Sequence, residues 1–311
     1  MLNSSKIILD CDPGNDDAIA IVVLLNACKD RVKMLLSTYG NISLDMATKN
    51  SLTLTALLGA DIPVLRGSEK PGPGNVVYED ASYIHGGDGL GGLQSTEFVV
   101  GLPEKEAVTG DFLQILYEAI MEEESVDFIT LGPLTNLSEL IKRYPDVLTR
   151  IDQVVTMGGG VNLGNVTPYA EFNLYCDAES AAHVFSVVPH LTLAPIDITT
   201  QVAFDLPRIA EIGKAGTKVA GAMEVVLTAN YNTCVAYGEP GATMHDSAAI
   251  LAYLHPELFE FRSCGINVDC EKEHYGESIP TDSQSNIRLI TATQPERLLD
   301  LIAQSITEYV L

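Results

Sequence analysis

The chain has 311 residues, of which 46% are hydrophobic, 19% charged and 6% aromatic; this excludes a disordered, collagenous or coiled-coil polypeptide. A chain of this length buries roughly 75% of the surface that its unfolded form exposes, so it needs neither disulfides nor metal merely to have a core. Lys and Arg number 18 against 42 Asp and Glu, a formal net charge of −24, which disfavours nucleic acid and anionic membrane surfaces and suits a neutral small molecule or a bound cation.

In chain order, Lys6–Leu9 reads as a short apolar strand that stops at Asp10, and Asn15–Cys28 as a helix with Asp16 and Asp17 in its first turn, where the helix dipole favours acids. The run Ala18–Leu25 has no polar face, so this helix should be buried on most sides. Strand, helix and strand follow at Val32–Ser37, Leu44–Leu58 and Ile62–Leu65. Arg66–Glu104, rich in Pro and Gly, breaks the rhythm and reads as a long loop region of the kind that forms lids or binding loops. Beyond it come helix 110–122, strand 126–131, helix 134–142, strand 151–157, helix 177–187 and strand 191–193. A long helical stretch at 213–231, a turn-rich piece at 238–242, helix 245–254 and a closing helix at 294–310 complete the pattern. The repeated β-α order predicts an α/β fold, an open and mainly parallel sheet flanked by helices on both faces, with right-handed crossovers. With no repeat and no linker, residues 1–311 are expected to form a single domain.

No apolar run approaches the roughly 20 residues of a membrane helix, and the N-terminus, interrupted by Asp10, does not read as a signal peptide. The six cysteines (11, 28, 176, 234, 264 and 270) show neither CxxC pairs nor zinc spacing. Free thiols in a reducing compartment, and hence a cytoplasmic location, are expected.

The sharpest feature is Asp10-Cys11-Asp12-Pro13-Gly14-Asn15-Asp16-Asp17. Its carboxylates fall where the first strand ends and the first helix begins, the edge at which open parallel sheets bind ligands. The Pro13-Gly14 turn brings them together. One or two acids there could simply cap the helix. Four repel one another unless a positive charge sits between them, and a hard divalent cation with oxygen ligands meets that need. An EF-hand is excluded because Gly14 and Ile21 stand where the loop needs a further ligand. A strand followed by Asp-x-Asp also resembles the haloacid-dehalogenase phosphotransferases, a Mg²⁺-dependent alternative, but that chemistry wants basic residues for phosphate, which are scarce here, and it leaves Asp16 and Asp17 without a role.

The segment from Asp10 to Ile21 closely resembles the N-terminal signature of the nucleoside hydrolases, both the inosine-uridine preferring type and its pyrimidine-specific relatives. Further blocks follow in order: Gly40-Asn41; His85-Gly86 with Asp88-Gly-Leu-Gly91; Leu131-Gly-Pro-Leu-Thr-Asn136; Met157-Gly-Gly-Gly160 with Gly164-Asn165 and Glu171-Phe172-Asn173; and Met244-His245-Asp246. Two small departures are Ala178 and Ser247, each where proline is common. The resemblance implies a Rossmann-like nucleoside hydrolase fold and Ca²⁺-dependent hydrolysis of the N-glycosidic bond of ribonucleosides to ribose and free base. It implies Ca²⁺ held by Asp12, Asp17, Asp246 and the main-chain carbonyl of Leu131, and ribose contacts from Asp16, Asn41, Asn165, Glu171 and Asn173. A metal-bound water would then be the nucleophile and Asp12 its base, with carboxylates stabilising an oxocarbenium-like sugar. His245 is the first candidate for general acid toward the leaving base and His85 the second. The family also implies a homo-oligomer, a tetramer or dimer.

The chain has no Trp, so a base sandwiched between indoles is excluded; Phe172, His85, Tyr231 and Tyr237 are the candidates for stacking. This favours a pyrimidine or a mixed purine/pyrimidine preference. Asn136 and Thr135 are expected to cap or cross-link the following helix, and Cys11, flanked by acids, should be a poor nucleophile. Besides the phosphohydrolase, the remaining alternative is a non-catalytic, Ca²⁺-dependent nucleoside or sugar binder.

Overall fold

The structure is a computed structural model and describes residues 5–72, 80–283 and 287–311. The first half alternates as expected: β1 (Lys6–Cys11), α1 (Asn15–Cys28), β2 (Val32–Ser37), α2 (Leu44–Leu57) and β3 (Val64–Arg66). The loop region that follows carries one short helix, α3 (Ser82–His85), and a turn of 3-10 helix at Leu93–Ser95; its residues 73–79 lie outside the described residues. Next come α4 (Phe112–Met121), β4 (Val126–Thr130), α5 (Thr135–Arg143), β5 (Ile151–Met157), α6 (Phe172–Cys176), α7 (Ala178–Val187), β6 (Leu191–Ala194) and α8 (Ile196–Thr199). The remainder is β7 (Ala203–Phe204), α9 (Leu206–Gly213), α10 (Lys218–Ala236), β8 (Ala242–Thr243), α11 (His245–Leu254), β9 (Phe259–Val268), β10 (Ser278–Thr281), β11 (Ile287–Thr293) and α12 (Pro295–Thr307).

Nine strands form one sheet in the order β10-β9-β11-β6-β5-β4-β1-β2-β3. All of its pairings from β11 to β3 are parallel; β9 runs against both of its neighbours. The run 3-2-1-4-5-6 is Rossmann-like and reverses between β1 and β4, so a crevice opens beyond the carboxyl ends of those two strands. Alternate residues of β1 serve the two faces. Ile7, Leu9 and Cys11 pack with α1 and the later helices, while Ile8 joins the core beneath α4, α5 and α7. As its apolar run predicts, α1 is central: among its residues only Asn26 and Ala27 are exposed, and it packs on α10, α11 and α12.

Two expectations need correction. The helical stretch expected at 213–231 starts later, at Lys218: an earlier helix, α9, ends at Gly213, Gly216 takes a left-handed φ of +70°, and Thr217 caps the new helix by accepting from Ala220 N–H at 3.1 Å. The second helix then continues five residues past Tyr231, to Ala236. The C-terminal part also holds three strands, β9 to β11, that periodicity did not reveal. Among the described residues, no helix is long and apolar enough to cross a membrane, and all six cysteines are free.

Candidate active site

Four acids cluster at the end of β1 and just beyond it, and the fold separates one of them from the rest. Asp10 still belongs to the strand and points to the α5 side, where Asn136 Nδ2 donates to its Oδ1 at 2.9 Å and Asn136 Oδ1 accepts from Ser68 N–H at 2.8 Å. Asn136 therefore cross-links α5 to β1 and to the loop after β3; of the two roles expected from sequence it takes the cross-link and not the cap, and its partners are set by the tertiary fold. Beyond the strand the chain turns at Pro13-Gly14. Asp17 Oδ2 caps its own helix, accepting from Gly14 N–H at 3.0 Å and from Asn41 Nδ2 at 3.0 Å. Asp12 Oδ2 accepts from the Asn41 backbone N–H at 2.5 Å. Asp246 arrives from the first turn of α11, far along the chain.

Asp16, Asp17 and Asp246 each bring a carboxylate oxygen within 4.8 Å of the other two. Asp12 lies beside this trio, with Asp17 as its strongest charged neighbour. Burial, with the charge of Asp17 adding to it, pushes the Asp12 carboxyl well above the usual range. Burial likewise raises Asp16 to about 6 and Asp17 to about 7, the latter helped by the charge of Asp16. It also raises Asp246 strongly, with Asp16, Asp17 and Asp12 contributing. Asp12 Oδ1 and Asp17 Oδ1 are buried without a hydrogen-bond partner. Unpaired buried acceptors are costly, and a hard cation with oxygen ligands satisfies them while reversing the sign of the local field. The residues present therefore fit a hard divalent cation. Asp16, expected among the sugar contacts, stands within the closest carboxylate trio.

Leu131, the residue after β4, faces the same crevice; its carbonyl accepts from Asn173 Nδ2 at 2.7 Å, which leaves its second lone pair free. Glu171 caps α6, accepting from the N–H groups of Asn173 (2.9 Å) and Leu174 (3.3 Å), and it also binds Gly159 N–H (2.8 Å). Burial still raises its carboxyl to about 7 against these donors. Asn165 Oδ1 accepts from Phe172 N–H at 2.9 Å, which closes the intervening loop. His245 Nδ1 lies 2.8 Å from Thr199 Oγ1. His85 Nδ1 accepts from the Asn15 backbone N–H at 3.1 Å, so in the neutral ring the proton sits on Nε2. Burial lowers both imidazoles to about 4, with His245 adding to the effect on His85, so both are neutral at neutral pH.

A cavity of about 500 Å³ opens over this floor, the size of a small-molecule site. Asp16, Asn41, His85, Leu131, Asn165, Glu171, Phe172, Asn173, His245 and Asp246 line it; Asp12 and Asp17 are fully buried beneath. Among the described residues, no Lys or Arg lines the cavity. Residues that sequence reasoning missed include Tyr83, Thr200, Asn230, Cys234, Glu239 and Thr243. Asn230 and Cys234 on α10 and the expected Tyr237, which caps its C-terminal end, recur at i, i+4 and i+7, the spacing of one helix face. That spacing was available in the sequence as a signal. Tyr231, one position further round, does not line the cavity and instead packs against the core.

Fold and site together define an α/β enzyme whose pocket, built around clustered carboxylates and with no Lys or Arg among the described residues of its wall, suits an uncharged ligand. The model of the family described as inosine-uridine preferring nucleoside hydrolase matches residues 7–300. The pyrimidine-specific ribonucleoside hydrolase RihA of Shewanella woodyi is 32% identical, over 97% of this chain and 98% of its own. The non-specific ribonucleoside hydrolase RihC of Salmonella paratyphi A is 31% identical, over 92% of this chain and 91% of its own. A plant nucleoside hydrolase, PpNRh1, superimposes with a TM-score of 0.89 at 26% identity, covering 98% of this chain and 99% of the plant chain. The chain belongs to the inosine-uridine preferring nucleoside hydrolase family and is an N-glycosyl hydrolase.

Proposed function

We propose that this chain, working as one domain, hydrolyses ribonucleosides to ribose and free base with Ca²⁺ as its cofactor, and prefers pyrimidine or accepts both base types. The observation that carries the reading is the cavity itself: buried carboxylates with unpartnered oxygens at its floor, and no cationic side chain among the described residues of its wall. Phosphate recognition is commonly built on Arg or Lys side chains; a nucleoside requires neither. The printed preferences of the two bacterial relatives, pyrimidine-specific and non-specific, and the absence of Trp support the base preference.

Asp12, Asp17, Asp246 and the Leu131 carbonyl would hold the cation, with Asp16 beside them. When bound, the cation supplies Lewis-acid chemistry, lowering the pKa of a coordinated water and orienting sugar hydroxyls. Asp12 accepts the proton of the attacking water through Oδ1, because Oδ2 is committed to Asn41 N–H. Asp16, Asn41, Asn165, Glu171 and Asn173 bind the ribose hydroxyls, and Phe172 covers the sugar and base. A site built on hydroxyl contacts rejects analogues that lack them by about 10⁴-fold in favourable cases. His245, held at Nδ1 by Thr199, faces the leaving base. Negative charge developing on that base raises the imidazole's proton affinity, so His245 takes a proton from solvent and passes it to the base, while the proton accepted by Asp12 returns to solvent; His85 is the second donor. The protein works as a homo-oligomer, a dimer or tetramer.

The test is a substrate panel of uridine, cytidine, inosine, adenosine and a phosphomonoester, with and without calcium. Ribose release from at least one ribonucleoside is expected; phosphate release without ribose would overturn the reading.

A further inference from the structure

Asn50 lies on α2, is fully buried and stands outside the cavity wall. Its side-chain amide nevertheless joins the two segments on which the site depends. Asn50 Nδ2 donates to the Pro13 carbonyl at 3.0 Å, in the turn after Asp12, and to the Asp88 carbonyl at 2.8 Å, three residues after His85. Asn50 Oδ1 accepts from Gln94 Nε2 at 2.8 Å. Both amide protons and one oxygen lone pair are thus used between the loop that carries His85 and the turn that carries Asp12. The His85 loop needs such a tie. Gly86, Gly89, Gly91 and Gly92 all take positive φ, a backbone with much freedom to lose on ordering. Gly89 comes so close that an added Cβ would stand 2.9 Å from Asn50 Nδ2.

We propose that Asn50 is a positioning residue for the hydrolytic reaction: it clamps the 86–94 loop to the Pro13 turn and so keeps His85 Nδ1 on the Asn15 N–H, leaving Nε2–H as a fixed donor into the cavity. This rests on the functional reading above. The clamp acts through His85, not through the carboxylate cluster, because Asn41 anchors Asp12 by its N–H and Asp17 by its Nδ2 independently of Asn50.

The experiment combines amide exchange with a double-mutant cycle. Asn50→Ala removes all three bonds. Asn50→Asp keeps the shape and the acceptor for Gln94 while removing both donors, and it serves if the alanine variant does not fold. Exchange of the 86–94 amides should rise on the order of tenfold or more as buried bonds are lost. The kcat for uridine should fall on the order of 100-fold, the scale of a roughly 1 Å misplacement. His85→Ala should lose a similar factor, and adding the Asn50 change to it should cost nothing further. Unchanged exchange, or losses that multiply in the double variant, would overturn the clamp. A wild-type protein that releases no ribose from any nucleoside sinks the functional reading instead, and the exchange measurement still reads the clamp by itself.

Discussion

Gly132→Ala is the most direct probe of Asp12. Gly132 follows Leu131 at the end of β4, and its φ is not positive, so alanine meets no backbone strain. The difficulty is space: an added Cβ would stand 2.7 Å from Asp12 Oδ1 and 2.9 Å from Thr38 Cγ2. Ordinary contact begins near 3.4 Å, so the carboxylate must retreat by about 0.7 Å or the β4 turn must move by as much. Asp12 cannot swing freely, because Oδ2 is held by Asn41 N–H. A displacement of that size in a reacting group costs about 10- to 100-fold in kcat/KM, or about 1.4–2.7 kcal/mol of transition-state stabilisation. Overpacking of the core adds about 1–3 kcal/mol of destabilisation. The assay is steady-state ribose release with saturating calcium, alongside a thermal melt to separate the two effects. A variant that keeps wild-type kcat/KM would refute the assignment of Asp12 Oδ1 to the chemistry.

Calcium should raise the melting temperature, by an increment equivalent to about 2.7 kcal/mol at a hundredfold excess over its Kd, and a chelator should reverse the shift. Asp17→Asn and Asp246→Asn should abolish the response, and a melt indifferent to millimolar calcium in the wild type would exclude the cation site. Asp12→Asn should lose turnover by several orders of magnitude with the fold intact by circular dichroism; undiminished ribose release would remove Asp12 from the role of base. His245→Ala should cost more on uridine than on p-nitrophenyl riboside, whose leaving group needs little protonation, and equal losses on both would count against proton delivery through His245.

Much of the molecule is legible in its local chemistry. The helix at Asn15–Cys28 and the strands at Val32–Ser37 and Ile151–Met157 appear at the bounds read from sequence, because each rests on an apolar run with clear stops. The acidic turn after β1 is equally local: Pro13-Gly14 and a helix start place Asp12, Asp16 and Asp17 near one another whatever surrounds them. Two of the three strands from Phe259 to Thr293 are hidden in the sequence for a physical reason. β9 carries exposed Arg262 and Ser263 beside buried Cys264 and Gly265, and β10 is an edge strand containing Pro280, so neither shows clean alternation. They become strands by pairing with the growing sheet.

What the chain alone determines, then, is the parallel α/β framework and the crowding of aspartates at the end of its first strand, since both arise from neighbours within a turn or two. Only the tertiary structure turns Asp10 away to Asn136, brings Asp246 and His245 from α11 over that turn, and makes Asn230 and Cys234 rather than Tyr231 face the cavity. These arrangements depend on how α10 and α11 rotate as they pack on α1, and that rotation is decided by side-chain fit between segments far apart in the chain.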